Sequence, residues 1–256
     1  MSPWNPEAYL KYQDERTQPS RDLLARIELE APAQAVDIGC GPGNSTRVLR
    51  ERWPAASLLG LDSSPAMIDH ARQTDSLTTW RLVDVTAWEP EHAFDLVFSS
   101  ATLQWIPGHT DLLPKLFGWV APQGALAVQV PANNDSYLYL AVQAVAHREE
   151  WRQLTAGCDA LQTYLPPSFY YDLLAPLAAR LTLWQTTYYH SLPNHQGLID
   201  WYASTGLKPY LERLPRDVER RAFQAQILEI CRDQYPLQSD RRVLFPFRRL
   251  FFVAYK

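Results

Sequence analysis

The chain has 256 residues, 46% of them apolar and 20% charged, which is the make-up of a globular protein with a sizeable core and excludes wholesale disorder. Its formal charge of −4 offers no basic field for nucleic acid, and no apolar run is long enough to span a membrane. Aromatics are plentiful, with nine Trp and 13 Tyr, and only four of the 24 basic residues are Lys. Three scattered cysteines, Cys40, Cys158 and Cys231, give no metal spacing and suit reduced thiols. With no basic-then-apolar leader at the N-terminus, the expectation is a cytoplasmic monomer with no metal and no nucleic-acid or membrane partner.

The first half alternates short apolar runs with helical stretches. Ala35–Ile38 reads as a buried strand ending in glycines, and Asn44–Arg52 as a helix. Ser57–Leu61 is a second strand. Ser64 and Pro65 mark the next helix start, with Ser64 as the capping side chain. Thr78–Val83 and Phe94–Phe98 are further strands, Leu112–Val120 a helix and Ala125–Val130 a fifth strand. Such alternation implies right-handed βαβ units and a parallel sheet.

The second half changes character. Leu138–Leu154, Gln196–Trp201 and Pro215–Tyr235 read as helices, the last with Val218, Ala222, Ala225 and Leu228 on one face. Leu181–Leu192 and Arg241–Tyr255 read as strands. The expected organisation is one domain over 1–256. It has an N-terminal lid at about 1–28, a cofactor core at about 30–131, a helical cap at about 133–240 and a last strand at about 241–255.

The central motif is Asp37-Ile38-Gly39-Cys40-Gly41-Pro42-Gly43, a glycine loop between a strand and a helix. Its spacing is G-x-G-x-G rather than the dinucleotide G-x-G-x-x-G, and Pro42 removes one N–H donor. Asp37 beside it would repel a pyrophosphate and attract an amino group. Asp62 follows the second strand, where a carboxylate can accept both hydroxyls of a ribose. Asp84 follows the third strand and is placed to accept from an adenine amino group, with Val85 packing on the ring.

These segments, with Phe94-Asp95-Leu96-Val97, resemble the class I S-adenosylmethionine-dependent methyltransferases. More narrowly, the chain is similar to the trans-aconitate 2-methyltransferase family. Trp4-Asn5-Pro6, Tyr9-Leu10, Leu103-Gln104-Trp105, Leu126–Gln129, Thr186–His190 and Asp200-Trp201 with Thr205-Gly206-Leu207 carry that likeness. The resemblance implies an α/β fold, a doubly wound, mostly parallel seven-stranded Rossmann-like sheet with a helical cap. It implies S-adenosylmethionine as cofactor, S-adenosylhomocysteine as product and a small polycarboxylate, trans-aconitate, as acceptor. The implied cofactor residues are Arg16, Asp37, Gly39, Gly41, Gly43, Asp62, Ser63, Asp84, Val85 and Ser100. The implied acceptor residues are Gln104, Trp105, Asn133, His190, Trp201 and Arg249.

No catalytic base is expected, because a carboxylate with a pKa of roughly 4 is already ionised. A hydroxyl acceptor would need one, and His109 and His190 are the histidines near the motifs. Another carboxylate or a hydroxyl is therefore the alternative acceptor. A nicotinamide oxidoreductase and a non-catalytic cofactor binder are the alternatives outside methyl transfer. Departures from the family pattern fall at Gln18, Ala132, Ser100, Lys208 and Arg248. Gln18 replaces an arginine, a loss that weakens the case for a tricarboxylate unless Arg248 substitutes for it.

Overall fold

The computed structural model describes residues 12–256, apart from the side chain of Gln13. The first part of the expected lid, with Trp4-Asn5-Pro6 and Tyr9-Leu10, lies outside the described residues. The elements in chain order begin with α1 (Gln13–Ala25), β1 (Gln34–Ile38), α2 (Asn44–Arg52), β2 (Ser57–Asp62) and α3 (Pro65–Thr74). β3 (Thr79–Leu82), β4 (Phe94–Ser100), a 3-10 turn (Leu103–Trp105), α4 (His109–Gly118) and β5 (Val120–Pro131) follow. The rest comprises α5 (Tyr137–Ala146), a 3-10 turn (Cys158–Leu161), α6 (Pro167–Leu174), β6 (Arg180–Leu192), α7 (Gln196–Ala203), α8 (Lys208–Arg213), α9 (Asp217–Gln234) and β7 (Val243–Tyr255).

The seven strands lie in the order β3-β2-β1-β4-β5-β7-β6. β1 through β5 pair in parallel, and β7 runs antiparallel to β5. Central parallel strands are covered on both faces, so they are apolar throughout: Ala35, Val36, Ile38, Leu96, Val97, Phe98 and Ala125–Val128 are all buried. The order reverses between β1 and β4. Open sheets of this kind bind ligands there, beyond the carboxyl ends of the strands.

Two compact units make up the described chain. The sheet unit holds residues 12–131, Leu165–Thr186 and Arg249–Lys256. The helical unit holds Ala132–Tyr164 and Thr187–Arg248. In the sheet unit α1 packs on α2 and β5, and Arg52 donates to the carbonyls of Leu24 and Ile27, meeting acceptors that the end of α1 exposes. In the helical unit α9 packs on α5 and α7. Among the described residues no helix is long and apolar enough to cross a membrane.

Three sequence expectations need correction. Ser64 stands at the N-cap of α3, but its hydroxyl makes no capping bond; it is buried without a partner. Asp62 does the local work instead, taking the Ser64 N–H on Oδ1 at 2.8 Å. The helix expected to reach Leu154 ends at Ala146, because His147–Glu150 is a polar run with nothing to bury, and Trp151 turns to meet Gln226 and Phe223. On α9 the buried stripe is Phe223, Ile227 and Cys231, at i, i+4 and i+8; Val218, Ala222 and Ala225 face solvent.

Candidate active site

The glycine loop is built by close approach. Gly39 adopts φ +68°, and a Cβ there would lie 2.1 Å from the Thr102 side chain. Thr102 is held by donating its hydroxyl to the Gly39 carbonyl at 3.1 Å, and Gly39 N–H donates to Leu61 O at 2.7 Å. Gly41, also at positive φ, has open space where a side chain would project. Only glycine tolerates both demands. Beneath the loop, the Trp80 ring covers Gly60, its neighbour in register, and joins Cys40, Ile68 and Ala71 in a buried cluster.

Asp37 is buried, and its Oδ2 accepts two short bonds, from the Ser45 and Thr46 hydroxyls at 2.6 Å each. Its Oδ1 is buried without a partner. Desolvation outweighs the hydroxyl bonds and pushes the carboxyl up to about 6. Asp62 accepts from Gly41 N–H on Oδ2 at 3.0 Å, and its burial likewise raises its pKa. Asp84 is exposed, and its Oδ1 takes the N–H and hydroxyl of Thr86, a tight loop that leaves Val85 buried beside it. Ser63 is exposed in the bend after β2. Arg16 is buried on α1, its guanidinium 5.7 Å from the Tyr12 ring centre.

Beyond β4 the chain turns sharply. Ala101 sits at φ +57°, a left-handed conformation unusual without glycine, held by its N–H to Gln129 O at 2.9 Å and by Gln104 Nε2 donating to its carbonyl at 2.7 Å. Gln104 Oε1 is buried and unpartnered, while Trp105 is half-buried. Ser100 donates to Gln129 Oε1 at 3.1 Å, and Arg249 Nη1 donates to the same oxygen at 3.2 Å. Ala101 carried no signal in the motif reading, and Gln129 entered it only as part of the Leu126–Gln129 likeness with no role assigned, although a glutamine inside the apolar run Leu126–Val130 marks a buried polar site in retrospect. His109 is buried with both ring nitrogens engaged: the ring meets Leu103 O at 2.8 Å and the Tyr170 hydroxyl at 3.1 Å. It is a satisfied structural histidine.

The remaining candidates belong to the helical unit. His190 packs on Trp201 with ring centres 4.2 Å apart, and Phe245 and Phe247 close around them. Asn133 is buried with Oδ1 unpartnered. Arg248 is committed to its own turn, donating to Ala132 O at 2.9 Å and to Asp135 Oδ1 at 2.5 Å, which holds the Asp135 carboxyl below its ordinary range. It does not stand in for an arginine at position 18. Gln18 itself lies on the exposed face of α1, bonded to Asp22 at 2.7 Å.

A family described as a methyltransferase domain matches residues 9–214. The chain belongs to that methyltransferase family. A trans-aconitate 2-methyltransferase of Methylobacterium radiotolerans is 44% identical to it, covering 100% of this chain and 99% of that protein. The protein of the same name in Variovorax paradoxus is 42% identical over 100% and 99% of the two chains. Among solved structures, the YcgJ protein from Bacillus subtilis superposes with a TM-score of 0.59 at 13% identity, covering 93% of this methyltransferase and 98% of that chain. A phosphoethanolamine N-methyltransferase of Haemonchus contortus, in complex with S-adenosylhomocysteine, gives a TM-score of 0.56 at 16% identity over 93% and 52% of the two chains. At such identities the structural likeness is one of fold.

Proposed function

We propose that this methyltransferase transfers the methyl group of S-adenosylmethionine to a carboxylate of trans-aconitate, giving a monomethyl ester. The observation that carries the reading is its end-to-end identity of 42–44% to proteins named for that substrate. The residues at the strand ends fit the cofactor. Asp37 offers a buried, unmatched carboxylate oxygen to an ammonium group, Gly41 leaves space above the loop, and Asp62 is held beside the loop by the Gly41 and Ser64 N–H groups.

When bound, S-adenosylmethionine supplies an electrophilic methyl: an O–C bond forms to the acceptor as the C–S bond breaks, leaving S-adenosylhomocysteine. The chain's own part is to hold and align. Asp37 pairs with the amino group, Asp62 takes the ribose hydroxyls, and Asp84 with Val85 receives the adenine. Gly39, Gly43, Ser63 and Arg16 complete the cofactor contacts. Gln104, Trp105 and Arg249 serve the acid in the sheet unit; Asn133, His190 and Trp201 are candidates of the helical unit, each tested by its own variant.

An ionised carboxylate needs no proton removed, so the rate comes from alignment of nucleophile and methyl within roughly 3–3.5 Å. The commitment of both His109 nitrogens favours this over a hydroxyl acceptor, since it removes one of the two near-motif bases. Incubation with methyl-labelled cofactor and a panel of di- and tricarboxylic acids tests the reading. Base-labile label on trans-aconitate is expected. Transfer to another acid with none to trans-aconitate would overturn the acceptor, and no transfer to any acid would overturn carboxyl methylation.

A further inference from the structure

We propose that Lys115 is a positioning residue for adenine recognition, fixing in place the exposed turn from which Asp84 meets the adenine amino group. The proposal rests on the reading of Asp84 as that contact. The turn has bonds of its own. Asp84 Oδ1 accepts the Thr86 N–H at 2.9 Å and the Thr86 hydroxyl at 2.8 Å, and the Ala87 N–H donates to the Asp84 carbonyl at 3.1 Å. These bonds commit one carboxylate oxygen and leave Oδ2 to a ligand donor. They close within four residues, so they set the shape of the turn and not its place on the molecule. Val85, buried at its centre, ties it inward at one point.

A second tie comes from α4 and the residue that follows it. Lys115 Nζ donates to the Thr86 carbonyl at 2.8 Å and pairs with Glu89 Oε1 at 2.9 Å. Trp119 Nε1 donates to Glu89 Oε2 at 3.0 Å, and the Trp88 and Trp119 rings meet edge to face with centres 5.2 Å apart. Lys115 and Trp119 together hold the Glu89 carboxyl below its ordinary range. The anchor is firm: α4 buries Leu112, Leu113, Leu116 and Phe117. Its first turn is pinned by His109 to Leu103 and Tyr170.

Thr86 joins the two halves. Its carbonyl takes the Lys115 ammonium while its N–H and hydroxyl hold Asp84, so a shift of Thr86 moves the carboxylate with it. Direction matters because a hydrogen bond from one oxygen weakens steeply off line. An ion pair as exposed as Lys115 with Glu89 adds little to overall stability. Its effect therefore falls on what the turn recognises rather than on folding.

The test uses the full chain and two probes, S-adenosylhomocysteine and S-inosylhomocysteine, in which an oxo oxygen replaces the adenine amino group. Calorimetry gives the affinity for each. The wild type favours the amino form by about tenfold or more, the worth of a charge-assisted hydrogen bond. Lys115→Met keeps the length of the side chain and removes its donors. It cuts that preference by about threefold or more, chiefly by weakening S-adenosylhomocysteine, while the midpoint of chemical denaturation stays near wild type. In Asp84→Asn the amide oxygen goes to Thr86 and the amide nitrogen turns to the ligand, so the preference is lost. Adding Lys115→Met to Asp84→Asn then changes the preference no further, because the lysine acts through Asp84.

A preference unchanged in Lys115→Met would overturn the proposal, as would an equal loss of affinity for both probes, the mark of a general structural role. A wild type that binds both probes alike, or an Asp84→Asn that keeps the preference, would sink the reading of Asp84 and this one with it. A wild type that discriminates through Asp84, with Lys115→Met unaffected, would sink this one alone.

Discussion

In the sheet unit, Asp37 Oδ1, Gln104 Oε1 and Gln129 Nε2 are buried at or near the carboxyl ends of strands without a protein partner. In the helical unit, a set of polar groups answer one another: the buried Tyr210 bridges Gln143 and Asp159 through its hydroxyl, Asp159 also meets the exposed His147, and the buried Thr155 bonds the Ala146 carbonyl. Asn133 and His190 do not belong to that pattern. Unmatched buried polar atoms destabilise a fold by about 1–3 kcal/mol each, so a cluster of them marks where a ligand completes the structure. Substitutions at these unmatched atoms of the sheet unit should therefore trade stability against binding, and those in the Tyr210 network should move stability alone.

The largest effect is expected at Trp80. Its ring fills the space over Gly60 and supports the glycine loop through Cys40 and Gly43. Trp80→Ala should cost about 3–5 kcal/mol, measured by chemical denaturation. Cofactor affinity should fall with it, because the loop loses its floor. A destabilised variant that binds S-adenosylhomocysteine as wild type does would show that the loop keeps its shape without that floor.

Asp37→Asn should show the trade directly. Desolvation pushes the carboxyl from the ordinary carboxylate range up to about 6. A pKa raised on folding means full stability below the unfolded value and loss as pH rises through the folded one. The wild type should thus lose on the order of 3 kcal/mol between about pH 4 and pH 7. Asparagine can still accept from Ser45 and Thr46 but never ionises. Its melting temperature should be flat over that window and higher than wild type at pH 8. Its affinity for the cofactor should drop about tenfold, from loss of a charge-assisted bond to the ammonium group. Undiminished binding would mean that Asp37 faces something else.

How much of this was legible in the sequence follows from the same contrast. Parallel strands buried on both faces must be apolar runs, so β1, β2, β4 and β5 stood out, and the glycines of the loop announced a backbone that no side chain could follow. The helical unit hid its order because its stripes are mixed. On α9 the inward positions are Phe223, Ile227 and Cys231, while small alanines at 222 and 225 mimic an apolar face in solvent. Arg248 was open by sequence to substitute for an arginine at position 18, yet an aspartate 113 positions away in sequence claims it. Gln129 stood in a segment that carries the family likeness, but its role was not legible because its partners, Ser100 and Arg249, meet it only across the sheet register.

The smallest effect is expected at Tyr210, and it tests the helical half of the comparison. The Tyr210 hydroxyl, on α8, donates to Asp159 Oδ1 at 2.6 Å and accepts from Gln143 Nε2 of α5 at 2.7 Å. One hydroxyl thus ties two helices and the turn between them. Burial and the neighbouring Asp159 both raise its pKa, so it remains a donor at any working pH. Tyr210→Phe keeps the ring stacked on Phe223 but leaves the Gln143 amide without its acceptor. The expected loss is about 1–2 kcal/mol by denaturation, with cofactor affinity and the KM for the acid unchanged. Because no residue proposed to contact cofactor or acid belongs to this network, a bound ligand has nothing there to repair. Added cofactor should then raise the melting temperature of the variant by the same increment as that of the wild type, whereas in Asp37→Asn that increment should shrink.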